Sequence, residues 1–185
     1  MSYTEIYKFG KDGKAQFLGE TKNAFRGAMC VWNVLDEKYL PPYIPEWSIK
    51  LGEDISDKRY HRSGSMSPEP LKEIWALFSD SNVSFEDKVV LGSTFDKVIV
   101  RKEDLPELIK AYKSFADFSS LPEQAELIEK AFEEDDDLIA IGFNQTSVNG
   151  DTWLNAGGYD ENDEGIPYNI LEQDSHWNLF SDIEG

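Results

Sequence analysis

Apolar and polar positions alternate loosely over residues 4–9 and again over 15–19, with Lys11-Asp12-Gly13-Lys14 between them. Asp-Gly supplies the positive φ angles of a tight turn, so the opening predicts a β-hairpin. The period then changes. Thr21 offers an N-cap, and Phe25, Ala28, Met29, Trp32, Leu35 and Tyr39 recur at three-and-four spacing, predicting a helix to about Lys38 with that stripe buried. Leu40-Pro41-Pro42 stops it, because proline lacks an amide donor and restricts the residue before it.

Periodicity is absent over residues 41–70. The segment is proline- and aromatic-rich at its start, ends in Ser, Gly and Pro, and holds a basic cluster of Lys58, Arg59, His61 and Arg62. Such a length of irregular chain marks a functional or mobile segment, unless a strand is concealed around residues 48–51. Helical spacing returns over 69–79, with Leu71, Ile74, Trp75 and Phe78 on one face. Ser84-Phe85-Glu86-Asp87 reads as a capping box with Asp in place of Glu, and 97–101 as a short strand. Asp104-Leu105-Pro106-Glu107 and Ser120-Leu121-Pro122-Glu123 open two further helices, each with a capping side chain and a first-turn proline.

Residues 138–143 predict an interior strand, and Asn149-Gly150 a second hairpin turn into a strand at 152–155. Residues 168–171 and 176–180 are the last expected strands. The order predicts a single α+β domain over 1–185, with helices packed on an antiparallel or mixed sheet. An apolar fraction of 40% with 5 Trp, 8 Tyr and 11 Phe suffices for its core. No apolar run is long enough for a membrane span, and MSYTEIYKFG lacks the pattern of a secretory leader. With Cys30 as the single cysteine, the expected location is a reducing cytoplasm.

Charge changes the picture more than composition does. Residues 121–185 carry 17 Asp and Glu against Lys130 alone, whereas residues 1–62 net +1 and residues 63–120 net −3. An excess of that size disfavours direct nucleic-acid binding and anionic lipid, and favours a basic protein surface as partner. Two clusters carry it: Glu133, Glu134, Asp135, Asp136 and Asp137, and Asp160, Glu161, Asp163 and Glu164. The first sits at the C-terminal end of a helix, where acids oppose the helix dipole. A solvated corner is the ordinary reading of such a run, and a partner-binding patch the functional one. The second resembles a calcium loop until its twelfth position, which is Leu171 in place of the bidentate Glu, so a polar turn is expected.

Candidate chemistry is sparse. Cys30 falls beside the buried stripe of the first helix, and His61 and His176 have no local catalytic signature around them. Two histidines and one cysteine are too few for a His-rich or thiolate metal site, and no phosphate-loop, dinucleotide, nucleophile-elbow or zinc-protease motif occurs. No cofactor or metal is expected, and the balance leans away from an enzyme. Asn144, Gln145, Thr146 and Trp153 form the densest polar-aromatic stretch and are the candidate lining of a small-ligand pocket. The competing expectation is that the amides serve the turn while Trp153 packs inward.

The stretches TEIYKFGKDGKAQFLGETKNAFRGAMCVWNVLDEKYL, VLGSTFDKVIVRKEDLPELIKAY and IGFNQTSVNGDTWLNAGGYDENDEGIPYN together resemble small acidic proteins of bacterial phages and prophages. The resemblance implies a phage or mobile-element product in a bacterial cytoplasm, and it brings no activity and no site residues. The expected function is therefore an acidic, non-enzymatic factor that engages a basic, nucleic-acid-handling protein. A ligand-binding protein or enzyme with its pocket at the 144–153 hairpin, and a plain structural subunit, are the alternatives.

Overall fold

The structure, a computed structural model, describes residues 3–22, 26–52, 60–65, 67–116, 118–146 and 153–184. Strands β1 (Tyr3–Phe9) and β2 (Ala15–Lys22) form the expected hairpin, closed by a Gly13 amide on the Gly10 carbonyl at 2.8 Å. Gly13 has φ +76°, and a Cβ there would lie 2.2 Å from Asn169 Oδ1, so both the turn and its neighbour require glycine. With β3 (Val98–Arg101), β4 (Ala140–Thr146) and β5 (Trp177–Asn178), the sheet order is β2-β1-β4-β3-β5. All neighbours are antiparallel except β3 and β5, so the sheet is mixed.

Helices cover one face. These are α1 (Ala28–Tyr39), α2 (Glu46–Lys50), α3 (Glu69–Ala76), α4 (Phe85–Gly92), α5 (Leu105–Ser114), α6 (Leu121–Glu134) and α7 (Leu179–Glu184). Ile6, Val98, Val100, Ile141 and Phe143 point into the core they share with all of these but α2. The opposite sheet face is buried too, with no helix on it among the described residues. Tyr7, Phe9, Ile99 and Ala140 pack there against Trp153, Tyr168 and Ile170, which belong to an irregular strap laid across the sheet. Tyr168 N–H donates to the Trp153 carbonyl at 2.7 Å, and Ile170 N–H to the Gly13 carbonyl at 2.9 Å, which pins the strap to the hairpin turn. Sheet strands buried on both faces explain why Val98-Ile99-Val100 and Ala140-Ile141 read as continuous apolar runs. Among the described residues no helix is long and apolar enough to cross a membrane.

Several local expectations change. Thr21 is not an N-cap, because β2 continues through it to pair with Thr4, and α1 begins at Ala28. Phe25 lies outside the described residues. The buried stripe of α1 keeps Ala28 and Leu35 and gains Cys30 and Val31, while Trp32 and Tyr39 are half-buried and Met29 is exposed. The strand suspected around 48–51 is instead the short helix α2, nucleated after Pro45. Residues 168–171 make only an isolated bridge of Asn169 to Lys14, and 176–180 divides into the two-residue β5 and the start of α7. Within the expected strand at 152–155, residues 153–155 form turn and bend; Asn149, Gly150 and Thr152 lie outside the described residues. Half of the capping box at Ser84 forms: its hydroxyl accepts the Asp87 amide at 3.2 Å, while the Ser84 amide donates to the Tyr39 hydroxyl in place of the Asp87 carboxylate. Asp104 and Ser120 make no side-chain cap bond, and at α6 the Ser119 hydroxyl accepts the Leu121 amide in their place.

The irregular stretch is held by one buried cation. Arg62 donates from Nη1 to Asp36 and to the Pro41 carbonyl, and from Nε to Glu73 at 2.9 Å, tying α1, α3 and the proline turn together. Its guanidinium also lies 5.4 Å from the centre of the Tyr43 ring. The basic cluster thus divides: Arg62 is spent inside the fold, His61 approaches Glu37 at 3.7 Å, and Lys58 and Arg59 lie outside the described residues.

Candidate functional site

The acid run follows α6 into β4, and tertiary contacts split it. Lys8 of β1 bonds the Asp135 carboxylate at 2.5 Å, and Lys11 of the hairpin turn meets Asp137 at 2.6 Å. Lys102 Nζ lies 3.4 Å from the Asp135 carbonyl. Cations from elsewhere in the chain therefore offset the unfavourable placement of acids at a helix C-terminus. The Lys8 bond holds the Asp135 carboxyl below its ordinary range, and the Asp137 bond raises the Lys11 ammonium. Glu133, Glu134 and Asp136 are exposed and pair with no cation among the described residues.

The second acidic cluster is a closed turn. Asp160 Oδ1 accepts the backbone amides of Asn162 at 2.8 Å and Glu164 at 2.9 Å, and these bonds lower its pKa. Asp163 takes the left-handed conformation at φ +61°, and Tyr159 and Gly165 bridge at the base. Glu161, Asp163 and Glu164 face solvent without a cation partner among the described residues. No group of three or more His, Cys, Asp or Glu there or elsewhere in the described residues has metal-binding geometry.

The 144–153 candidates are drawn into the fold. Asn144 is buried and donates to Glu5 at 3.2 Å, and the Gln145 side-chain oxygen accepts from Thr4 at 2.8 Å. Trp153 is fully buried, its indole N–H on the Phe143 carbonyl at 2.9 Å and its ring edge-on to Phe9 and Tyr168. Thr146 pairs through its backbone with Tyr3.

Nucleophile and base candidates are equally structural. Burial raises the Cys30 thiol, which disfavours the reactive thiolate. Burial also raises the Tyr112 phenol, against a hydrogen bond with Ser93. His176 Nδ1 lies 2.9 Å from the Tyr168 hydroxyl; burial and then Arg101 lower its pKa, with Asp174 opposing.

One surface feature escaped the sequence reading. Trp75, Phe78, Phe95 and Trp177 surround an open cleft of about 350 Å³, with Ser79 and Asp96 at its polar side. Trp75, from the apolar face of the 69–79 helix, is 37% exposed, and Trp177 is 48% exposed. The four rings come from α3 and the 3-10 turn after it, the α4–β3 connection and β5. No linear signal joins elements so far apart in the chain. Comparison with known proteins finds no matching family model, no curated relative and no solved structure like this one, so the functional reading rests on the geometry of the chain itself.

Proposed function

We propose that this protein is an acidic, non-enzymatic binding factor for a basic protein, of the kind that handles nucleic acid in a bacterial cytoplasm infected or colonised by phage. The observation that carries the reading is the uneven neutralisation of the acidic third. Asp135 and Asp137 are matched by Lys8 and Lys11, whereas Glu133, Glu134, Asp136, Glu161, Asp163 and Glu164 stay exposed and unmatched among the described residues. Their backbones are held by α6, by the turn that follows it from Asp135 to Leu138, and by the self-bonded 160–164 turn, so the carboxylates are presented from ordered supports. Fixed carboxylates at a net charge of −18 attract cationic grooves that otherwise take phosphates. Association steered this way is fast and weakens steeply with ionic strength.

The test is capture from bacterial lysate at low and high salt, comparing the natural chain with a variant carrying E133K, D136K, E161K and E164K. None of these four side chains makes an ion pair among the described residues, so the fold should be spared. The expected result is a basic protein retained at low salt, released at high salt, displaced by duplex DNA and lost with the variant. Equal retention by the variant, or no specific partner at either salt, would overturn the proposal.

A further inference from the structure

We propose that the cleft between Trp75, Phe78, Phe95 and Trp177 receives an arginine side chain of the basic partner, its guanidinium stacked on the rings and its N–H groups on the Asp96 carboxylate. The assignment rests on the preceding reading only for the source of the arginine; the chemistry comes from the cleft.

Phe78, Phe95 and Trp177 lie 5.6–6.4 Å apart between ring centres at mutual angles of 56–78°, so they form a cup and not a stack. Trp75 is backed by Trp32 at 6.1 Å, and Trp32 is anchored by its indole N–H to the Thr94 hydroxyl at 3.0 Å. The walls are thus set before any ligand arrives. A comparable cluster, Phe9, Trp153 and Tyr168, is sealed between the sheet and the strap that carries its last two rings, whereas this one stays open. Exposed, contiguous aromatic surface of this kind marks an interaction site.

Charge selects the occupant. Asp96 is exposed and pairs with no cation among the described residues; one of its oxygens accepts the Gln145 amide at 3.4 Å. No cation lines the cleft among the described residues. Lys97, the next residue, adopts the left-handed conformation at φ +57°, and its carbonyl accepts the Trp177 amide at 2.8 Å, which couples the Asp96 turn to the edge strand. Ring faces attract cations, and a carboxylate beside them repels anionic ligands. Guanidinium suits the site better than ammonium, because it is planar, weakly hydrated and able to fork onto a carboxylate while stacking on indole.

The test is a titration of the ¹⁵N-labelled full chain with N-acetyl-arginine-N-methylamide, following the indole N–H signals of its 5 tryptophans. Saturable shifts are expected at Trp75 and Trp177, with Trp153 unmoved. The neutral isostere N-acetyl-citrulline-N-methylamide should bind at least about fivefold more weakly, and D96N should weaken arginine binding by about fivefold. W177L should lose binding, and the four-lysine variant above should retain it. Equal binding of citrulline or of N-acetyl-leucine-N-methylamide would make the cleft an apolar slot and overturn the assignment. So would an unchanged affinity in D96N, or no saturable shift. Failure here with salt-dependent capture intact removes the cleft alone; the reverse pattern removes the acidic partner surface alone.

Discussion

Replacing Trp153 by Phe tests whether the strap is a structural layer of the protein. Trp153 is fully buried, with ring centres 5.2 Å from Phe9 and 5.1 Å from Tyr168. A buried tryptophan covers roughly 150–250 Å². At about 25 cal/mol per Å², complete truncation would cost about 4–6 kcal/mol, close to the ~3–5 kcal/mol of large-to-small core substitutions. Phenylalanine keeps the ring between its two neighbours and gives up on the order of 50 Å², or about 1 kcal/mol. Loss of the indole donor to the Phe143 carbonyl adds about 1 kcal/mol, and the residual gap somewhat less. The expected destabilisation is therefore about 2–3 kcal/mol. A domain with the usual stability of about 5–15 kcal/mol remains folded under that loss. Urea unfolding followed by far-ultraviolet circular dichroism should show the midpoint falling by about 1 M, at an m-value of about 2–3 kcal/mol/M. Limited proteolysis should find new cleavage within residues 153–173. An unchanged midpoint and an uncut strap would refute the reasoning: Trp153 would then stand outside the core and be free to line a pocket at the 144–153 hairpin.

Other perturbations follow from the same geometry. G142A should cost about 1–3 kcal/mol in urea unfolding, because its Cβ would sit 2.8 Å from Phe9 Cε2 in a filled layer. R62M should cost about 3–5 kcal/mol, since it leaves the buried Asp36 carboxylate without its cation, and R62M/D36N should recover part of that loss by removing the charge while keeping an acceptor for the Arg62 backbone amide. For Asp87, burial raises the pKa but bonds from Lys38, Tyr39 and Ser84 outweigh it, so the folded value lies below the ordinary 3.8. Its stabilisation is present above that ordinary value and is lost as pH falls through the depressed one. D87N should thus be less stable at neutral pH and show a shallower acid limb in thermal melts taken across that window.

What near neighbours govern was legible from the order of residues. Asp12-Gly13 sets a turn because glycine alone takes the left-handed conformation there. Ser84 caps α4 through a partner three residues away, and Pro106 and Pro122 open α5 and α6 where missing amide donors are harmless. The apolar run at 138–143 announced the interior strand β4, residues 97–101 read as the short strand β3, and the α+β class followed from the order of elements. The charge asymmetry was also visible at once, since it needs only counting.

Tertiary contacts, some of them across more than a hundred residues, decided the rest. β2 outlasts the Thr21 cap signal because β1 supplies it with cross-strand partners as far as Lys22. Lys8 and Lys11 select Asp135 and Asp137 from a run of five acids, leaving Glu133, Glu134 and Asp136 to solvent. Trp75 and Trp153 show the limit most plainly. One was placed on the apolar face of its helix and stands at a surface cleft; the other was a pocket candidate and is sealed between the strap that carries it and the sheet. Side-chain type and spacing determine which residues favour burial, but only the arrival of distant elements determines which of them are covered.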